Sequence, residues 1–211
     1  MIRIKVCGMT DPLNVKEISE IRPDFLGFIF YPGSPRYVGK DPDRSLFLNL
    51  PRGTGAAGVF VNEKPETVIE IAKSTGLEII QLHGSESPSY CSRLRSSGLT
   101  IVKAFCLTQD FDFKTIESFM VVCDYFLFDT KTEVYGGSGR KFNWELLKDY
   151  SLGKSFFLSG GIGPDDACLI KTIESNGLFG VDINSRFENA PGIKNVRLVK
   201  TFIDTLKNDI V

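Results

Sequence analysis

Apolar and polar residues alternate along residues 2 to 7, with Ile2, Ile4 and Val6 on one face and Arg3, Lys5 and Cys7 on the other. A period of two is the signature of a strand. Similar short β-rich runs recur at 24–30 (DFLGFIF), 56–61 (AAGVFV), 78–82 (EIIQL), 101–105 (IVKAF), 124–128 (DYFLF), 155–159 (SFFLS) and 179–183 (FGVDI). They predict seven further strands. Between several of them the pattern turns helical, with proline at a first helical position. Asp11-Pro12 opens a run to Ile21, Lys64-Pro65 precedes ETVIEIAKS, Ser87-Pro88 precedes SYCSRL, and Gly163-Pro164 precedes DDACLIKTI. A stripe of Val196, Val199, Phe202, Ile203 and Leu206 at three- and four-residue spacing marks a last amphipathic helix.

Strands alternating with crossovers imply a parallel sheet. Eight units in 211 residues allow about 26 residues each, near the short limit for a closed β/α barrel. The expected fold is therefore α/β, a single-domain eight-stranded parallel β/α (TIM) barrel over residues 1–211, with an open doubly wound sheet as the structural rival. No Pro/Gly/Ser linker or composition step divides the chain, and GGSGR at 136–140 reads as a mobile loop.

With the apolar face of each strand turned outward, polar side chains gather inside. Strand 1 contributes Lys5 and Cys7, strand 4 Gln81 and His83, strand 5 Lys103, strand 6 Asp129, and strand 8 Asp182 and Asn184. Most stand at C-terminal strand ends, where barrel enzymes carry their active sites. A second signal is LSGGIGPDD at 158–166, a strand running through paired glycines into a helix start. Glycines let backbone N–H groups approach an anion, so Gly160 and Gly161 suit a phosphate monoester, with GVDINS at 180–185 on the next strand.

Composition narrows the ligand. The chain is 42% hydrophobic with a net charge of −1, which lacks the basic excess of nucleic-acid or anionic-membrane binders and favours a small-molecule substrate. MIRIKV is too short an apolar run for a signal peptide and no window approaches a membrane span, so a cytoplasmic location is expected. Five cysteines without a C-x-x-C pair fit reduced thiols, and a lone histidine, His83, cannot assemble a multi-imidazole metal site.

Joined in order, KVCGMT (5–10), GFIFYPGSPRYV (27–38), GVFVN (58–62), QLHG (81–84), VKAF (102–105), FLFDT (126–130), GGSG (136–139) and LSGGI (158–162) resemble phosphoribosylanthranilate isomerases of tryptophan biosynthesis, nearly end to end. The resemblance implies an Amadori rearrangement of N-(5-phosphoribosyl)anthranilate with no metal or organic cofactor. It makes Asp129 the general acid that protonates the furanose oxygen and Cys7 the base that removes the C2 proton. It also makes Arg36 the partner of the anthranilate carboxylate, a role suited to a guanidinium fork. The substrate-binding set expected on this basis is Arg36, Lys5, Gln81, His83, Gly160, Gly161, Asp182, Asn184, Ser185 and Arg186, with no metal ligand. Lys5, two residues from Cys7 on the same face, is the candidate to lower its thiol pKa.

Three positions depart from the resembled pattern. Arg186 stands where glycine is usual, Asn195 where aspartate is usual, and Asn143 precedes Trp144 where Asp is frequent. Asn caps a helix about as well as Asp. Arg186 is expected to supply its own phosphate contact. The rival functions are a catalytically silent barrel binding a phosphorylated metabolite, and another phosphosugar isomerase, epimerase or aldolase, the last needing Lys103 as a Schiff-base lysine. A monomer and a homodimer are equally compatible with the sequence.

Overall fold

The computed structural model describes residues 1–48, 50–130, 144–173 and 177–207. The 136–140 stretch and Asn143 lie outside the described residues. Eight parallel strands close into a ring in sequence order, β1 (Arg3–Val6), β2 (Phe25–Ile29), β3 (Gly55–Phe60), β4 (Ile79–Leu82), β5 (Thr100–Leu107), β6 (Tyr125–Thr130), β7 (Phe156–Ser159) and β8 (Leu178–Ile183), with β1 pairing β8. The doubly wound alternative is excluded by that closure. All eight expected strands are present.

Three proline-opened helices form as α1 (Pro12–Glu20), α2 (Pro65–Thr75) and α3 (Pro88–Arg95), Pro164 opens a 3₁₀ turn (Pro164–Asp166) that leads into α4 (Ala167–Lys171), and the terminal stripe forms α5 (Val196–Lys207). Asp11 and Ser87 accept from the backbone N–H of Asn14 and Tyr90, each satisfying an orphan donor of the first turn. Asn195 does the same for Leu198 at 3.0 Å, so the asparagine caps as expected. In α5 the residues Val199, Phe202, Ile203 and Leu206 are buried. Unbroken strand-helix alternation does not hold. After β2 and β5 the described residues form only 3₁₀ turns at Arg44–Leu46 and Phe113–Phe119, and Trp144–Asp149 is a 3₁₀ turn before β7. Asp43 and Asp112 each bond the backbone two residues on, a turn geometry that competes with an α-helical start. A hairpin of β9 (Glu188–Ala190) and β10 (Ile193–Lys194), not anticipated, follows β8.

Register sorts the side chains into two layers. Gln81 pairs with Val102, Val102 with Tyr125 and Leu127 with Phe157, so these residues share the interior. There Val102, Ala104, Leu127 and Phe157 form an apolar plug with Phe25, Ile79, Tyr125 and Phe179, and the Phe157 ring meets those of Phe25, Tyr125 and Phe179 edge-on, the last at 5.2 Å. Ile4, Val6, Phe126 and Phe128 face outward into the larger core beneath the helices. Among the described residues no helix is long and apolar enough to cross a membrane.

Lys103 corrects the expected inner face. It is in register with Leu82 and Phe126 and points outward. There its ammonium, 3% exposed, lies 3.2 Å from Glu86 and donates to the carbonyls of Leu82, Gly84 and Ala104. The reason is that the middle of β5 is buried on both faces, so its one charged residue does not mark the lumen. A lysine so tethered outside the barrel cannot serve as a Schiff-base nucleophile at its mouth. Lys103→Met should cost roughly 3 kcal/mol by leaving Glu86 buried without its cation. Denaturant unfolding would measure that loss, and turnover of the folded variant should stay close to wild type.

Candidate active site

Above the apolar plug the barrel interior becomes polar. Lys5 Nζ donates to Asp182 Oδ2 and to Gln81 Oε1, each at 2.7 Å, and all three residues are at most 5% exposed. Burial alone would pull the Lys5 ammonium down, but Asp182 and Cys7 outweigh it and hold it above the ordinary lysine range. Asp182 Oδ1 is buried with no hydrogen-bond partner, an acceptor left open at the floor of the mouth.

At the C-terminal ends of the strands lies a cavity of about 280 Å³. Its lining includes Cys7, Gln81, His83, Asp129, Gly160, Gly161, Asp182, Asn184 and Ser185, so the structure brings these predicted residues together. Asp129 lies within β6, in register with Cys106 and Ser159, and its carboxylate meets His83 Nε2 at 3.1 Å. Ile29, Val59 and Ile162 add apolar wall that sequence reasoning did not single out.

Cys7 follows β1 directly and its N–H continues the ladder to Ile183 O at 2.9 Å. Gly27 makes room for it. A Cβ on Gly27 would sit 2.8 Å from Cys7 Sγ and 3.0 Å from Lys5 Nζ. Gly8, at φ +78°, would carry a Cβ 2.6 Å from Arg36 Cδ. Burial pushes the Cys7 thiol up, and the pull of Lys5 and Lys194 in the other direction does not reverse it. Lys5 therefore acts on Cys7 with the expected sign but without the expected net result.

Arg36 reaches the rim because the loop after β2 folds back, with Tyr37 bridging Ile29 and Val38 N–H donating to Ile29 O. Its Nε and Nη2 donate to the two oxygens of Glu188 at 2.8 and 2.6 Å, and Lys194 Nζ donates to Glu188 Oε1 and Asn184 Oδ1, both at 2.6 Å. Glu188 and Lys194 were missed by sequence reasoning. Their signal was charge placed in the segment after β8, SRFE and PGIK, which folds as the hairpin. Asn14 pins that hairpin, exchanging side-chain bonds with the Lys194 backbone at 2.7 and 3.0 Å. One anion between two cations leaves a net positive rim, and Arg36 Nη1 is not engaged by Glu188.

Gly160 and Gly161 adopt positive φ of 86° and 68° opposite Ser185. Two residues farther on, Gly163 N–H is consumed by Asp166 Oδ2 at 2.8 Å. Arg186 is exposed and lies beside this turn, its Cδ 3.3 Å from where a Gly163 Cβ would stand, and its own backbone is not left-handed. Among the described residues no group of three or more His, Cys, Asp or Glu is placed to hold a metal ion.

The family profile described as N-(5'-phosphoribosyl)anthranilate (PRA) isomerase matches residues 4–205. This chain belongs to that family. The N-(5'-phosphoribosyl)anthranilate isomerase of Phocaeicola vulgatus is 43% identical over 207 residues, covering 98% of each chain. A crystal structure of a phosphoribosyl anthranilate isomerase in complex with reduced 1-(o-carboxyphenylamino)-1-deoxyribulose 5-phosphate is 30% identical, with a TM-score of 0.85 over 98% of this chain and 99% of that one. Monomers generated from the dimeric Thermotoga maritima isomerase are 31% identical at a TM-score of 0.84, again over 98% and 99%.

Burial opposes ionisation of Glu188, but the hydrogen bonds from Arg36 and Lys194 overcome it and hold its carboxyl at about 2 against an ordinary 4.5. A depressed carboxyl pKa stabilises the fold fully above the unfolded value. That contribution, roughly 3 kcal/mol, fades as pH falls from about 4.5 to about 2. Glu188→Gln should therefore be less stable at neutral pH and lose less than wild type across that acid window, as read from thermal unfolding against pH.

Proposed function

We propose that this chain converts N-(5-phosphoribosyl)anthranilate to 1-(2-carboxyphenylamino)-1-deoxyribulose 5-phosphate in tryptophan biosynthesis, with Asp129 as general acid and Cys7 as general base. The observation that carries this reading is a carboxyl on β6 and a thiol after β1 facing one cavity, with a cationic rim at Arg36 and a glycine-paired turn at Gly160–Gly161. A proton given by Asp129 to the furanose oxygen lets the C1–O bond break as the nitrogen lone pair forms a C1=N iminium. Cys7 as thiolate then takes the C2 proton, and the electron pair left behind neutralises the iminium as an enolamine. Tautomerisation to the C2 ketone completes an internal redistribution of hydrogen, so the balance needs no external oxidant or reductant. Arg36, anchored by Glu188, turns its remaining N–H groups to the anthranilate carboxylate. Asp182 Oδ1 accepts from a substrate hydroxyl or amine, while Gly160, Gly161, Asn184, Ser185 and Arg186 hold the phosphate. The same reading places the protein in the cytoplasm, as a monomer or a homodimer.

The direct test forms phosphoribosylanthranilate in place and follows loss of its fluorescence above the uncatalysed background; no acceleration would sink the assignment. Cys7→Ala and Asp129→Ala should each lower kcat by at least about 10². A protonated Asp129 with a Cys7 thiolate carries as many protons as the reverse pairing, so pH alone does not exchange the two. The profile of kcat/KM should accordingly be level through neutrality and fall only on the alkaline side of the ordinary thiol range, where the raised Cys7 thiol loses its proton. A rise between pH 7 and 9 would mean that Cys7 works without a counter-proton on Asp129. Arg186→Gly should raise KM for the substrate with kcat little changed; a lowered KM would remove Arg186 from the phosphate site.

A further inference from the structure

Hydrogen-bond direction along the inner ring follows from which groups can only give and which can accept. The Lys5 ammonium has three N–H groups and no lone pair. The Gln81 atom 2.7 Å from it is therefore the carbonyl oxygen, Oε1, which fixes the orientation of that amide. Its Nε2 then faces His83 Nδ1 at 3.2 Å, and an amide nitrogen only donates. Nδ1 must accept, so the ring proton resides on Nε2, which points at Asp129 Oδ2 from 3.1 Å.

We propose that Gln81, anchored by Lys5, is a positioning residue that holds His83 in its Nε2–H tautomer and so aims one hydrogen bond at Asp129 Oδ2. With Oδ2 accepting from His83, the proton that Asp129 delivers is left on Oδ1, and the carboxyl plane is set by the ring. The catalytic meaning of this arrangement rests on Asp129 being the acid; the tautomer does not. Gln81 is 3% exposed and both ends of its amide are committed to protein partners, which leaves orienting His83 as its principal task. Reversing the ring would set a lone pair on Nε2 against a carboxylate oxygen and an N–H against an amide N–H, two mismatches created by one proton shift.

His83 is the only histidine in the chain, so the long-range ¹⁵N–¹H spectrum of its imidazole needs no assignment. At about pH 8, where an unperturbed imidazole is neutral, the resting protein should show a protonated Nε2 and a bare Nδ1. Gln81→Glu offers only acceptors and should put a proton on Nδ1, with kcat lower by roughly tenfold or more and KM moving far less. Gln81→Met, which removes the partner, should give a mixed pattern. A protonated Nδ1 in the wild type, or a spectrum unchanged by both substitutions, would overturn the proposal. Because the spectrum is read without substrate, its failure is distinct from failure of the acid role, which Asp129→Ala tests through turnover alone.

Discussion

A cation and an anion held together inside the barrel, Lys5 and Asp182, constrain everything above them. Both side chains are 4% exposed at 2.7 Å separation. Withdrawing two charges from water costs several kcal/mol per ion, and a well-packed apolar pair of the same volume is often as stable. Stability alone therefore does not account for the pair. What it supplies is direction. Lys5 orients the Gln81 amide, Gln81 orients His83, and His83 bonds Asp129, so one buried ammonium reaches from β1 to β6 through three hydrogen bonds. The apolar plug of Val102, Ala104, Leu127 and Phe157 beneath closes the barrel from the other end.

The same frame explains why the acid step comes first on the proposed route. In the free protein burial keeps the Cys7 thiol protonated although Lys5 and Lys194 both favour its thiolate. Opening the furanose creates an iminium, a new positive charge one bond from the carbon whose proton Cys7 removes. A cation at that position stabilises the Cys7 thiolate of the pairing in which Asp129 carried the proton. At the rim the arithmetic is similar: Arg36 and Lys194 against Glu188 leaves one positive charge for one carboxylate, and the bidentate hold of Glu188 keeps the guanidinium from collapsing onto other partners.

Short β-rich runs were enough to find the eight barrel strands, and with closure they brought nine predicted residues to one cavity. Two-residue alternation failed where a strand is buried on both faces. IVKAF carries an apolar plug residue on each side of Lys103, and the polarity of that lysine reflects its outer partner Glu86, not the lumen. Glu188 and Lys194 stayed illegible for a different reason. Their placement depends on a hairpin that packs beside α1 and on Asn14 in that helix, 180 residues away in sequence from Lys194, and no local pattern encodes such a meeting. The 3₁₀ turns after β2 and β5 were hidden by polar segments whose aspartates bond their own backbone. The opposing pulls on Cys7 were visible as residue types, but their balance depends on a burial that only the folded barrel defines.

Arg186 shows how a departure from a family pattern is absorbed. Glycine at that position would permit a left-handed backbone, yet the chain here keeps ordinary φ through the 185–187 turn, so no strain attends the Cβ. The consequence falls on the neighbouring loop. Asp166 already places an anion at the start of the segment leading into α4 and consumes the N–H of Gly163. That would weaken the turn as an anion site. Arg186 sets its aliphatic stem against Gly163 and brings a guanidinium to the same corner. A corner reliant on backbone dipoles thereby gains a full charge beside them. On the proposed function that charge serves the phosphate, the Gly163 N–H being spent on Asp166.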